Sequence, residues 1–205
     1  MRSIYDKTEC EFVEKKSKFI GILYHVKDKE SIDSKLEEVK TLYPGANHYV
    51  YAYILDEHTQ KASDDGEPSR TAGYPVLEVL NKNKLNDVLA IVIRYFGGIK
   101  LGAGGLIRAY STTIANTIKK ATFIEKVTSY YSCLETSYDH LGDIEKIVRE
   151  QTKLDKVDYG QTIKFYFYLY NNQFEKVKDT LFHYNGYKDK LKVLEKKLVY
   201  AKASD

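Results

Sequence analysis

Two short stretches hold most of the residues that could do chemistry. RYFGGIKLGAGGLIRAY, Arg94 to Tyr110, has glycine at five of the nine positions from Gly97 to Gly105 and carries Arg94, Lys100 and Arg108. Glycine lets a backbone turn sharply and approach a neighbour closely. Glycines that lead into a helix can aim several N–H groups at one anion, and the helix dipole adds attraction. Two uses stay open. Gly97, Gly98, Gly102, Gly104 and Gly105 can form an anion site with Arg94, Lys100 and Arg108, most naturally for phosphate. Alternatively, Gly97-Gly98 make a tight turn and Gly104-Gly105 let a helix pack hard on a sheet. From Val88 to Ile124 there is no Asp or Glu, while Lys119 and Lys120 add further cations. That local charge favours the anion. The known nucleotide loops do not fit: Ala103 follows Gly102 where a P-loop has lysine, and Ile107 replaces the last glycine of GxGxxG.

The second stretch, SDDGEPSRTAG from Ser63 to Gly73, places Asp64, Asp65 and Glu67 within four residues. Such carboxylates can hold a divalent cation, act as an acid/base pair, or close a turn by accepting from nearby backbone N–H groups. An EF-hand is excluded, because its ligands spread over about twelve positions. The carboxylates can also pair with Arg94 or Arg108 and fix the glycine loop. His48 opens a strand and reads as a hydrogen-bonded structural histidine. Cys10 and Cys133 stand alone, without a CxxC or a local base, so neither a zinc site nor a disulfide framework is expected. No metal or cofactor is expected.

The elements that must position these residues can be read from periodicity. Residues 3–13 and 18–26 read as strands joined by a turn at Glu14-Lys15-Lys16-Ser17. Ile32, Leu36, Val39 and Tyr43 mark a helix from Glu30 that Pro44-Gly45 ends. From Asn47 to Asp56 alternation puts Tyr49, Tyr51, Tyr53 and Leu55 on one strand face and His48, Val50, Ala52 and Ile54 on the other. Thr71 is expected to cap a short helix with Pro75 in its first turn. The apolar run Asp87 to Phe96 reads as a central strand. After the glycines, Leu106, Ile107, Tyr110, Ile114, Ile118 and Ala121 share a helix face. The pattern then restarts as strand 129–137, helix 139–151, strands 154–159 and 162–170, helix 173–184 and strand 191–200. That order, βαββαβ, is ferredoxin-like. The fold class is α+β, with domains at 1–127 and 128–205.

Bulk composition excludes extremes. The 205 residues are 43% hydrophobic and 30% charged, with a net charge of +3. A packed core is implied, and a strongly basic nucleic-acid sleeve is excluded, though not a local patch. A basic run near the end, with Lys188, Lys190, Lys192, Lys196, Lys197 and Lys202, reads as a solvated face. The start carries no apolar signal region, and no apolar run approaches the ~18 residues of a membrane span. A cytoplasmic protein with no membrane partner is expected. The 19 tyrosines offer stacking surfaces, most of them in packing roles.

The SDDGEPS and TAG segments, the whole of Arg94–Tyr110, EKKSKFI from Glu14 to Ile20, and His48 with Tyr51-Ala52-Tyr53 together resemble the signature of the IMPACT/YigZ family. The resemblance covers most of residues 1–120. Arg70 departs from it, standing where glycine is expected. The resemblance implies an N-terminal domain with the ribosomal protein S5 domain 2-like fold, shared with elongation factor G domain IV. It also implies a C-terminal domain like the ferredoxin-like end of elongation factor G. Eukaryotic relatives modulate translation under stress by competing for a regulator of a translation-inhibiting kinase. The expected function is thus a non-enzymatic translation regulator whose basic glycine loop binds RNA or ribosome phosphates, with His48, Asp64, Asp65, Glu67 and Arg70 in support. The alternatives are an adaptor for a protein of the translation machinery, or a nucleotide-binding enzyme.

Overall fold

A computed structural model describes residues 2–170, 173–182 and 190–202. Lys188 of the basic run and the expected end of the helix at 183–184 lie outside them. The chain divides into two compact units, one running to Glu125 and the other spanning Lys126–Ala201.

In the first unit, five strands form one sheet: β2 (Thr8–Glu14), β3 (Ser17–His25), β6 (Val88–Tyr95), β4 (His48–Ile54) and β5 (Gln60–Ser63), in that order. Every neighbouring pair is antiparallel. Strands β3 and β4 both run against β6, so they are parallel to each other, and α1 (Lys29–Leu42) carries the chain across between them. Asp28 starts α1 by accepting from the Ser31 N–H at 2.7 Å while the Ser31 hydroxyl answers toward the Asp28 backbone, a reciprocal cap.

The apolar run of β6 has a simple cause. Val88, Ala90 and Val92 face α2 (Gly73–Lys82) and α3 (Gly102–Lys120), while Leu89, Ile91 and Ile93 face α1. All six are fully buried. A strand covered on both faces cannot alternate. The face assignments of β4 hold: Val50, Ala52 and Ile54 join the α2/α3 side, and Tyr49, Tyr51, Tyr53 and Leu55 the α1 side.

Three expectations need correction. The strand expected at 3–13 is two: β1 (Arg2–Ile4) pairs with Phe123–Glu125 at the start of β7 (Phe123–Thr136), and β2 begins only at Thr8. Helix α3 begins at Gly102, so the last three glycines lie inside it rather than before it. Ile107 is 41% exposed and leaves the core stripe, whereas Leu106, Tyr110, Ile114 and Ile118 keep it.

The second unit has the ferredoxin-like order. Strands β10 (Leu191–Lys202), β7, β9 (Ile163–Tyr170) and β8 (Lys153–Tyr159) lie side by side, with α4 (Leu141–Gln151) and α5 (Gln173–Phe182) between them in sequence. Its core unites Leu134, Phe165, Phe167 and Leu169 of the sheet with Ile144, Val148, Val177 and Leu181 of the helices. The α+β class and both fold types are therefore as the sequence implies. Among the described residues, no helix is long and apolar enough to cross a membrane. Cys10 and Cys133 are free thiols.

Candidate functional site

The acidic loop is spent on the fold, one carboxylate at a time. Asp64 accepts from the backbone N–H groups of Arg70, Ala72 and Gly73 at 2.8, 3.0 and 2.8 Å. It thereby satisfies the open amino end of α2 from outside the helix. Thr71, the expected cap, instead donates its hydroxyl to the Pro68 carbonyl, and Ala72 at the cap position has no side-chain oxygen. Asp65 accepts the Tyr49 N–H through its carboxylate. Its carbonyl takes the His48 Nδ1 proton at 2.7 Å. A carbonyl only accepts, so Nδ1 of His48 is the donor in this bond. Arg70 sits at φ +60, a left-handed conformation that glycine adopts at no cost. Its guanidinium lies 4.2 Å from the Tyr74 ring centre, a contact glycine could not make.

Glu67 is the centre of the arrangement. Its side chain is 3% exposed, and its Oε1 accepts from Arg94 Nη1 at 2.5 Å and from the Tyr110 hydroxyl at 2.7 Å. His48 Nε2 stands 3.9 Å from the same oxygen. Burial, and then the hydrogen bond to Glu67, push the Tyr110 phenol far above its usual range. Tyr110 packs edge-on against Phe19 with ring centres 5.3 Å apart, and the Arg94 guanidinium lies 5.4 Å from the Phe19 ring centre and 5.5 Å from that of Phe96. Arg94 therefore does not stand among open cations, as the sequence suggested. It is 5% exposed and neutralised by the protein's own carboxylate. The pairing of the acidic loop with Arg94, one of the readings left open, is the one the fold uses; Arg108 takes no part.

The glycine loop divides between packing and exposure. Gly97 is a packing residue: a Cβ there would come within 2.0 Å of the Lys16 backbone carbon, and its N–H donates to Ser17 Oγ at 3.1 Å. Gly98 and Gly102 hold φ of +84 and +71 and face open space. Gly105 is buried, but against Leu101 of its own turn rather than the sheet, and Gly104 is exposed. The amino end of α3 has no side-chain cap, and its first turn holds no acidic residue. Lys100 and Arg108 are exposed and pair with no described carboxylate. A cavity of about 460 Å³ opens beside this helix end, lined by His48, Glu67, Arg94, Phe96, Lys100 and Gly102 among others.

The structure thus brings His48, Glu67, Arg94, Lys100 and Gly102 together, keeps Arg108 on the exposed face of α3, and sends Asp64 and Arg70 to the start of α2. Tyr110 and Asn47 complete the site, Asn47 by accepting the Phe96 N–H at 2.8 Å. Sequence reasoning placed Tyr110 in the core stripe and missed its hydroxyl, because nothing in helical periodicity reports a partner on a distant loop. Among the described residues, no three His, Cys, Asp or Glu side chains are grouped to hold a metal.

Comparison with known proteins gives a consistent picture. The family model of the Impact N-terminal domain matches residues 15–118. The chain is 40% identical over 170 residues to the IMPACT family member YvyE of Bacillus subtilis (strain 168), covering 82% of this chain and 78% of that one. It is 34% identical over 150 residues to the IMPACT family member YigZ of Escherichia coli (strain K12), covering 71% and 74%. The crystal structure of a hypothetical protein aligns with 100% of this chain and 97% of its own at a TM-score of 0.59 and 26% identity.

Proposed function

The chain belongs to the IMPACT family, and from that premise we propose that it is a non-enzymatic, cytoplasmic regulator of translation that binds RNA phosphates, ribosomal RNA foremost. One observation supports this reading most: the amino end of α3 is uncapped and flanked by Lys100 and Arg108, neither of which is paired with a described carboxylate. Free backbone N–H groups, the positive end of a 19-residue helix and two open cations suit a phosphate. Arg94 serves differently from the sequence-based expectation. Locked to Glu67, it holds the acidic loop against the sheet and shapes the cavity wall beside the phosphate position.

Ribosome pelleting tests the reading. At low salt the full chain should sediment with ribosomes, and the affinity should fall steeply as salt rises. Replacing Lys100 and Arg108 with alanine should weaken sedimentation and flatten the salt slope by about one unit per lost contact. A protein that stays in the supernatant at low salt overturns it. A second reading has its own support: Phe96, Ile99 and Ile107 are 45%, 42% and 41% exposed around the same loop, a surface suited to a protein partner in the translation machinery. Capture after nuclease treatment separates the two, since RNA-mediated partners are then lost and protein-mediated ones kept.

A further inference from the structure

Among the described residues of the second unit, both helices pack on the same face of the sheet. Leu134, Phe165, Phe167 and Leu169 point toward α4 and α5. The alternate residues of the two central strands point the other way, and they are aromatic. Tyr131 on β7 is the register partner of Tyr168 on β9, and Cys133 that of Tyr166. Residues directly opposite in an antiparallel pair, and residues two apart on one strand, share a face. Tyr131, Tyr166 and Tyr168 therefore form one cluster. Its ring centres are 4.8 Å apart for Tyr131–Tyr168 and 6.3 Å for Tyr131–Tyr166. All three rings are partly exposed.

The charges around this cluster are unequal in their commitments. Among the described residues, three carboxylates stand on the face, and each has a donor: Asp155 takes the Tyr131 hydroxyl at 2.8 Å, Asp158 takes Lys156 at 3.1 Å, and Glu135 takes the Thr162 hydroxyl at 2.6 Å. Lysines outnumber them. Lys153 is the register partner of Tyr168 and Lys164 that of Glu135. Lys192 on β10 lies near Glu135, whose carboxyl is held low first by Thr162 and then by Lys164 and Lys192. None of Lys153, Lys164 and Lys192 is hydrogen-bonded to a described carboxylate. Lys156 reaches over the Tyr166 ring, 4.3 Å from its centre.

We propose that this open face binds single-stranded RNA, with bases stacked on Tyr131, Tyr166 and Tyr168 and phosphates met by Lys153, Lys164 and Lys192. The site lies in the other unit from α3 and does not rest on the reading given above. A protein partner with an apolar surface would want a dry patch; here the rings are bordered by Lys153, Lys164 and Lys192, none hydrogen-bonded to a described carboxylate, with Lys164 standing between Glu135 and Asp158 on the neighbouring strands. A single strand supplies both complements at once, flat π-faces for the rings and one negative charge per nucleotide for the lysines. Rings on the two central strands of a four-stranded sheet are also the arrangement by which such sheets read unstacked bases. A duplex, whose bases are already stacked on each other, cannot use the rings. Lys156 gives up its ring contact to an incoming base and keeps its pairing with Asp158.

Fluorescence anisotropy of the full chain with a labelled ten-nucleotide uridine RNA tests this, with an RNA duplex of equal length beside it. Tyr166→Ala and Tyr168→Ala should each weaken single-strand binding by about 5-fold or more, the worth of one stacked base. Tyr166→Phe and Tyr168→Phe, which keep the rings, should stay within about 2-fold. Duplex affinity should not follow the alanine variants. Lys164→Gln with Lys192→Gln, both at exposed positions, should lower the salt slope by about 0.7 per contact, so the idea stays testable even if an alanine variant folds poorly. Unchanged uridine binding in the well-folded alanine variants, or duplex binding that falls in parallel, overturns the proposal. So does loss of a captured protein in those variants with RNA binding intact, which would make the face a protein-docking surface. If Lys100→Ala with Arg108→Ala abolishes ribosome sedimentation while the tyrosine variants change nothing, the α3 reading stands and this one falls.

Discussion

Removing the carboxylate at Glu67 should be the most damaging single polar change in the first unit. An exposed ion pair is worth only ~0–1 kcal/mol, but the Arg94 and Glu67 side chains are 6% and 3% exposed, so that figure does not apply. Deleting one partner of a buried pair costs about 3–5 kcal/mol, because the remaining charge is left without compensation. For a unit of this size, 1 kcal/mol moves a melting midpoint by roughly 3–5 °C. Glu67→Leu should therefore lower the midpoint by roughly 10–20 °C, followed by circular dichroism and by hydrogen exchange of the β6 amides, which report on this unit alone. The two halves of the pair should not be equivalent. Arginine cannot shed its charge, whereas a buried carboxyl can take up a proton. Arg94→Leu should thus cost less than Glu67→Leu. The double replacement should recover most of the loss. A cost below about 1 kcal/mol for Glu67→Leu, or equal costs for the two single variants, would refute the view that this pair is a buried, mutually neutralising lock.

Gly97→Ala should prevent stable folding or cost more than about 3 kcal/mol, since its Cβ would meet rigid backbone at Lys16 within 2.0 Å; alanine at Gly98, which faces open space, should cost only about 1 kcal/mol for its positive φ. Urea titration of both compares them directly. Asp64→Ala strips three backbone N–H groups of their acceptor and should cost about 1–2 kcal/mol, with faster hydrogen exchange at the start of α2. In the second unit, the hydrogen bond to Asp155 and then desolvation raise the Tyr131 phenol from 10 to about 12. The folded state thus favours the protonated phenol. Its contribution is complete below about pH 10 and is lost as pH rises toward 12. Tyr131→Phe should be less stable than the natural chain at pH 8, and urea midpoints of the two should converge by pH 12.

Where hydrophobic periodicity determined the structure, the sequence was easily read. The doubly covered β6, the split faces of β4 and the βαββαβ order all follow from which residues must leave water, and those are local facts. The boundaries that failed were set by partners far along the chain. Tyr5-Asp6-Lys7 parts β1 from β2 because Arg2–Ile4 find Phe123–Glu125 across more than a hundred residues. Thr71 looked like a cap because a threonine before a helix often is one. Asp64, eight residues upstream of Ala72, reached the same amides first with a charged oxygen. Arg70 shows the opposite case: its departure from glycine was visible, but only its positive φ and the Tyr74 ring explain how the position tolerates it.

The two stretches that looked like separate chemistries are one device. A loop rich in carboxylates and a loop rich in glycine and cations could have served metal and phosphate independently. Instead Glu67 of the first binds Arg94 and Tyr110 at the two ends of the second, so the strand before the glycines and the helix after them are tied to a single oxygen. Between those ends the chain turns at Gly98 and Gly102, which hold positive φ. That arrangement also accounts for the charge pattern. A cation buried at Arg94 had to be matched internally, and the match came from outside the acid-free segment. Lys100 and Arg108, on the exposed side of the same loop, have no such constraint and keep their charge for solvent or for a ligand. Within Val88 to Ile124, β6 and the core stripe of α3 are buried and would not hold an unpaired acid; on the outward side the lack of acids leaves Lys100 and Arg108 unpaired, at the place proposed above for a phosphate.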